Sequence, residues 1–253
     1  MKTAIISGAS SGLGAEYLSS VINLFPDIKE IWLIARRKER LEELSANYPK
    51  ISFKIFPLDL TDTASFSVLE NSLKESKPDV RILINNAGCG KLGYFSDTPA
   101  QEHAKITDLN VRAATLLPAT VIPYMSEGSF IVNVCSISSF VPNARLAVYS
   151  SSKAYLFSLS KVLRQELKSR KINSLAVCPG PMFTEFLSVA EIHPDNSKTF
   201  ATLPYCKAPE VARRSLIYAS RGKAVYTNKP FYKFYRILAK LLPHNLVMPL
   251  SKA

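Results

Sequence analysis

Short, continuously apolar runs separated by longer amphipathic segments restrict the fold of this sequence more than any other feature. Thr3–Ser7 reads as a buried strand and Gly12–Phe25 as a helix, with Leu13, Tyr17, Val21 and Leu24 on one face. Ile31–Ala35 reads as a second strand, Lys38–Asn47 as a charged surface helix, and Phe53–Leu58 as a third strand. Thr63–Ser76 reads as a helix, Val80–Asn85 as a fourth strand, and Pro99–Tyr124 as one long helical stretch. Phe130–Val134, the long helix Val148–Ser169, Asn173–Cys178, the short helix Val211–Ser220 and Ala224–Thr227 complete seven strands. A strand that is apolar throughout is covered on both faces, and strands joined through helices pair in parallel. The spacing therefore predicts an α/β chain, a doubly wound parallel sheet in one domain, whose ligands bind beyond the carboxyl ends of the strands.

Composition narrows the function. The chain of 253 residues is 47% hydrophobic and 21% charged, enough apolar material for a core, which excludes a disordered chain or a coiled coil. No apolar run reaches the roughly 18 residues of a membrane span. Cys89, Cys135, Cys178 and Cys206 form no Cys-x-x-Cys pair, so neither a metal site nor a disulfide framework is expected. The N-terminus lacks the long apolar stretch of a signal peptide, and a cytoplasmic protein is expected. The net charge is +12, and the part after Glu210, which has no Asp or Glu, contributes +9 of it through Arg213, Arg214, Arg221, Lys223, Lys229, Lys233, Arg236, Lys240 and Lys252. Such local charge points away from a nucleic-acid-binding surface and toward a basic C-terminus or a site for an anionic ligand.

Several motifs fall at strand ends. Ser7-Gly8-Ala9-Ser10-Ser11-Gly12-Leu13-Gly14 sits between the first strand and the first helix. Gly8 permits a tight turn, Gly12 lets a pyrophosphate approach the backbone, and Gly14 lets helix pack closely on strand. The alternative is a purely structural turn. The run Ala35-Arg36-Arg37-Lys38 ends the second strand without the carboxylate that would accept a ribose 2′-hydroxyl. Arginine suits a 2′-phosphate, so NADP(H) is favoured over NAD(H), with Arg36 as first choice and Arg37 as second. Asp59-Leu60 and Asn85-Asn86-Ala87-Gly88 follow the third and fourth strands, where they either meet a cofactor or make turns. Tyr149 and Lys153 stand four apart on a helix, one face. A lysine ammonium beside a phenol lowers the phenol's pKa and equips it for proton exchange. Ser136, thirteen residues before Tyr149, could bond a reacting oxygen, with Ser138 as a competitor of poorer spacing. Asn110 reads either as the anchor of a relay water or as a satisfied core amide.

Together these residues resemble the short-chain dehydrogenase/reductase family over nearly the whole chain, with a Rossmann-like fold. Gly8, Gly12 and Gly14 match its glycine motif, with Ser7 where threonine is usual, and Asn86-Ala87-Gly88 matches its Asn-Ala-Gly segment. Asn110, Ser136, Tyr149 and Lys153 match its catalytic tetrad, and Pro179-Gly180 with Thr184 matches a segment whose threonine binds the nicotinamide amide. The resemblance implies an NADP(H)-binding site built from Gly8, Ser10, Ser11, Gly12, Leu13, Gly14, Arg36, Arg37, Asp59, Leu60, Asn86, Ala87, Gly88, Tyr149, Lys153, Pro179, Gly180 and Thr184. It implies hydride transfer between the cofactor and a ketone or alcohol, with Tyr149 as proton donor, Ser136 orienting the carbonyl and Asn110 holding a relay water. It also implies a homodimer or homotetramer through the long helices. Ser138-Ser139 stands where the family often has a small Ala-Gly pair and is followed by bulky Phe140, a departure expected to narrow or reshape the substrate side.

The irregular stretch of about 182–209 carries Met182, Phe183, Phe186, Leu187 and Phe200, which suggests an apolar carbonyl substrate, hydroxysteroid-like or 3-oxoacyl, or else a cap on the core. A non-catalytic NADP(H)-binding regulator is the rival reading. The basic segment of about 229–253 includes Pro230–Leu242, helical in period, with an apolar stripe and opposing cations. Packing on the protein is the default for such a helix. Peripheral contact with an anionic membrane and closure over the substrate are the alternatives.

Overall fold

In a computed structural model, which describes residues 1–193 and 195–251, one sheet of seven parallel strands runs through the molecule in the order β3-β2-β1-β4-β5-β6-β7. Pro194 of the irregular stretch and Lys252 and Ala253 of the basic segment lie outside the described residues. The strands are β1 (Lys2–Ser7), β2 (Glu30–Ala35), β3 (Ser52–Pro57), β4 (Asp79–Asn85), β5 (Met125–Val134), β6 (Asn173–Val177) and β7 (Val225–Tyr226). The helices are α1 (Gly12–Leu24), α2 (Lys38–Ala46), α3 (Ala64–Ser76), α4 (Ala100–Thr107), α5 (Ala114–Val121) and α6 (Ala147–Glu166), then α7 (Glu185–Val189), α8 (Lys198–Thr202), α9 (Ala208–Ser220), α10 (Pro230–Leu241) and α11 (His244–Val247).

The apolar strands behave as their composition requires. Side chains alternate between faces, so Ala4 and Ile6 join Leu33, Ile84 and Val132 on one side, while Ile5 joins Trp32, Ile34 and Leu83 on the other. The first face is covered by Leu13, Tyr17 and Val21 of α1 and by Val211 and Leu216 of α9, and Tyr17 Oη and Ser215 Oγ lie 2.8 Å apart between those helices. The second face is covered by Leu69 and Leu73 of α3 and Leu117 and Val121 of α5. The edges are blunted: β3 buries only Phe56 fully and ends in Pro57, and β7 has only two residues.

The order of strands reverses between β1 and β4, so the loops after these two strands flank a crevice. The long helical stretch of residues 99–124 is not one α-helix. Asp108–Ala113 forms a π-helical turn between α4 and α5, and a 3-10 turn follows from Ile122 to Tyr124. Asn110 sits in that π turn, where its side chain is drawn toward Cys89 rather than outward. The stretch of residues 182–209 is also more ordered than its prolines suggest. It carries α7 and α8, and a bridge between Met182 and Cys206 closes its base. Among the described residues no helix is long and apolar enough to cross a membrane.

Candidate active site

The glycine loop is set by steric necessity. Gly8 and Gly12 adopt φ of +64° and +52°, a region that side chains rarely enter. A Cβ on Gly14 would come within 2.0 Å of the Gly8 carbonyl oxygen, so only glycine lets the first turn of α1 close on the loop. The loop is tied to the end of β4. Asn86 and Ala87 N–H both donate to Ser7 Oγ, at 3.0 and 3.1 Å, and Asn86 Nδ2 donates to the carbonyls of Ser7 and Gly8. Ser7, read from sequence only as a substitute for threonine, is thus the pin between the two strands that bound the crevice.

Ser136, Tyr149, Lys153 and Asn110 converge on one wall. Lys153, almost fully buried, donates from Nζ to the Val134 carbonyl at 2.8 Å. Ser136 follows β5 and accepts from Ser138 N–H at 3.1 Å, while Ser139 Oγ bonds to Ser136 N–H and donates to the Lys153 carbonyl at 2.9 Å. This small cap fixes Ser136 relative to α6. Ser138 serves it through the backbone, and Ser139, which sequence reasoning missed, is the link; its signal was the Ser-x-x-Ser spacing of a helix cap. Asn110 donates from Nδ2 to Cys89 O and Ser152 Oγ and accepts from Cys89 N–H at 2.9 Å, so its amide is fully engaged in holding that loop. Gly88 and Gly90 leave the space: a Cβ on Gly88 would sit 3.1 Å from both Asn110 Oδ1 and Lys153 Nζ, and one on Gly90 would sit 3.1 Å from Tyr149 Cδ2.

The electrostatics differ from the simple expectation for Tyr149. Burial pushes its phenol up to about 12, opposed by the hydrogen bond from the neighbouring Ser136 hydroxyl. Lys153 Nζ lies 5.8 Å from the Tyr149 ring centroid and is engaged with Val134, and burial lowers its own pKa. Desolvation is the largest cause of both shifts, and at the phenol it is Ser136 that opposes it. Asp59 is also pushed up by burial, but bonds from the Thr61 N–H and hydroxyl, with Arg36 beyond, hold its carboxyl below the usual carboxylate range.

One cavity of about 850 Å³ joins these parts. At one end lie Ser10, Ser11, Gly12, Leu13, Asp59, Leu60 and the two arginines; at the other lie Met182, Phe186, Leu187, Phe200 and residues of α10. Arg36 is 71% exposed with only a 4.0 Å approach to Asp59, whereas Arg37 donates to Ser10 Oγ at 3.2 Å and pairs with Glu185 at 2.7 Å. Arg37, bonded to Ser11-facing Glu185, therefore bridges the glycine loop and α7; the Arg37 and Ser11 hydrogen bonds hold the Glu185 carboxyl below its ordinary value. Glu185 had no signal in the sequence beyond its place after Thr184. Thr184 itself faces Gly12, whose Cβ would lie 3.2 Å from the threonine's, and Gly180 packs under the ring of Tyr232.

Two aromatic side chains near this end lie outside the cavity. Phe183 is 77% exposed and stacks on Tyr205 outside the cavity. Phe140 does not narrow the substrate side: it is buried against Phe157 and Tyr235, in a core between α6 and α10 that a small residue would leave unfilled.

Comparison with known proteins agrees with this construction. The family model described as short chain dehydrogenase matches residues 2–194. A very-long-chain 3-oxoacyl-CoA reductase of Laccaria bicolor is 30% identical over 178 residues, 67% of this chain and 51% of that one. A short-chain dehydrogenase from Sphingobium yanoikuyae, solved in complex with NADPH, is 30% identical with a TM-score of 0.77 and covers 90% of this chain and 87% of its own. The bulky-bulky ketone specific alcohol dehydrogenase of Comamonas testosteroni is 28% identical with a TM-score of 0.76, over 95% and 91% of the two chains. Sheet order, crevice and matched sequence lead to one assignment: the chain belongs to the short-chain dehydrogenase family and is an oxidoreductase.

Proposed function

We propose that the protein is an NADPH-dependent reductase of bulky, apolar ketones. The observation that carries this reading is the single cavity that runs from Arg36 and Arg37, past Ser136 and Tyr149, to an apolar end formed by Phe186, Leu187 and Phe200. NADP(H) fits the residues present. The space a Cβ on Gly12 would fill lies between the loop and Thr184, no carboxylate stands at Ala35, and Arg36, exposed and only loosely paired with Asp59, can reach a 2′-phosphate. Gly8, Ser10, Ser11, Gly12, Leu13 and Gly14 would hold the pyrophosphate, Asp59 and Leu60 the adenine, and Asn86, Ala87 and Gly88 the adjoining ribose. Pro179, Gly180 and Thr184 would hold the nicotinamide amide. The NADPH complex of the Sphingobium relative and the ketone specificity in the Comamonas relative's name support the reading.

When bound, the reduced cofactor supplies a hydride for the carbonyl carbon. Tyr149 holds the proton that the carbonyl oxygen needs. With its phenol pushed up to about 12, it stays protonated at neutral pH and donates as charge builds on the oxygen. Ser136 accepts from Ser138 N–H, and its own hydrogen, which meets the Tyr149 phenol in this structure, would turn to the same oxygen once a ketone is bound. Lys153, anchored on Val134, retains two further N–H donors and a charge near the phenolate left behind. Asn110 acts as a positioning residue that clamps Cys89 against α6. Reduction is the direction these groups favour near neutral pH.

Exposed Tyr155 and Val162 on α6 are where we place a homo-oligomer contact. The similarity to the 3-oxoacyl-CoA reductase favours a second substrate class, 3-oxoacyl thioesters. A panel of bulky aryl ketones, ketosteroids and 3-oxoacyl esters, run with NADPH and with NADH, decides between them. Turnover of the ketones with NADPH is expected. Turnover confined to acyl esters would move the substrate, and equal use of NADH would remove the role given to Arg36. Tight NADPH binding without turnover on any of them would favour a regulator.

A further inference from the structure

We propose that α10 docks this protein on an anionic lipid bilayer, with the cavity mouth turned toward the membrane. The helix presents three faces. Tyr232 and Ala239 are buried on the inner one, where the Tyr232 ring covers Gly180 and its hydroxyl donates to the Pro204 carbonyl at 2.9 Å. That contact meets the expectation of ordinary packing, but it uses only part of the apolar surface. Phe231, Phe234, Ile237 and Leu241 stand on the outer face, each more than half exposed. Lys233, Arg236 and Lys240 occupy a third face beside them; at about 100° per residue they fall within one narrow arc. Among the described residues none of these three cations pairs with a carboxylate.

The ridge and the cavity share an edge. Phe231, Phe234, Leu238 and Leu242 line the cavity, whereas Ile237 and Leu241 point away from it and have no role toward a small substrate. On the cationic side, Lys229 and Lys233 border a second cleft with Lys207 and with Arg214, the last partly neutralised by Glu210 at 3.1 Å. In that cleft the Tyr226 and Thr227 hydroxyls are buried without a hydrogen-bond partner. Cations and spare hydroxyls suit phosphate headgroups, and the apolar ridge suits the acyl boundary beneath them. A second copy of the chain matches the charge poorly, because a two-fold contact through the ridge would bring the cationic arcs of both copies to the same face. The docking stands apart from the redox chemistry. Its consequence, that an apolar ketone enters the cavity from the lipid phase, rests on the proposed reductase activity.

Flotation of the full chain with vesicles tests the docking, using phosphatidylcholine alone and equimolar phosphatidylcholine and phosphatidylglycerol at low and high salt. The protein should float with the anionic vesicles, far less with the neutral ones, and less as salt rises. Lys233→Gln with Arg236→Gln and Lys240→Gln should lower partition about fivefold for each charge removed. Ile237→Ser with Leu241→Ser should lower it more than about tenfold, with an unchanged thermal melt and unchanged turnover of a water-soluble ketone. Flotation with neither vesicle, or equal flotation of the native chain and the ridge variant, would overturn the docking. So would a ridge variant that binds vesicles normally but changes the sedimenting mass, which would assign the face to self-association. A native chain that floats as expected but turns over no ketone would break the reductase reading and leave the docking intact.

Discussion

The two ends of the cavity are built by different means. At the glycine-loop end, backbone approaches backbone, Ser7 pins two strands, and Gly14 meets Gly8 with no room for a methyl group. At the substrate end, the walls are helices of five residues, α7 and α8, and the side of α10 that carries Phe234, Leu238 and Leu242. The first end is specified by what cannot be added, the second by which apolar side chains happen to face inward. A site built this way keeps one cofactor geometry and allows its substrate rim to change. The ion pair of Arg37 with Glu185 is where the two ends meet.

Gly14 is the most sensitive position of the rigid end. Gly14→Ala should cost more than about 3 kcal/mol, because a Cβ held 2.0 Å from a backbone oxygen has no flexible neighbour to displace; a thermal melt near the native value would show that the loop is not rigid. Next, Arg36→Ala should weaken NADPH binding about tenfold or more, the loss of one charge-assisted contact, and leave NADH unchanged. Equal losses for both cofactors in titration would remove Arg36 from the phosphate site.

A pH profile sharpens the chemistry between the two ends. The Tyr149 phenol is raised above the ordinary value near 10 to about 12. Its contribution to stability is therefore full below the ordinary phenol value and is lost as pH rises through about 12. Ketone reduction should be flat through neutral pH, while alcohol oxidation, which needs the phenolate, should rise about tenfold per pH unit below the phenol pKa. Oxidation that levels off near pH 7 would mean that Lys153 overcomes burial. The smallest effects belong to the rim: Phe183→Ser should change stability by less than about 0.5 kcal/mol, and Glu185→Gln by about 1 kcal/mol or less, since both partners of its ion pair are well exposed.

The same contrast explains what could be read from sequence. The strands, the crevice and the closeness of Tyr149 to Lys153 were legible because they rest on apolar runs and on a spacing of four within one helix. The π turn at Asn110 was not, and the partners of its side chain, Cys89 and Ser152, are remote in sequence. Phe140 read as a substrate residue because it follows Ser136, yet its neighbours Phe157 and Tyr235 come from two other helices. The phenol of Tyr149 read as acidified by Lys153, and its burial was invisible without the walls around it. Glu185 and the outward ridge of α10 likewise depend on which way a helix turns, which no local pattern states.

In the proposed reaction Tyr149 delivers the proton to a ketone held beside NADPH. The most direct measurement is NADPH oxidation with a bulky apolar ketone by the native chain and by Tyr149→Phe, with NADPH affinity measured in parallel by fluorescence. Turnover by the native chain is expected, with a loss of at least about a hundredfold in the variant and equal NADPH affinity in both. A Tyr149→Phe chain that reduces the ketone at the native rate would contradict the role given to Tyr149.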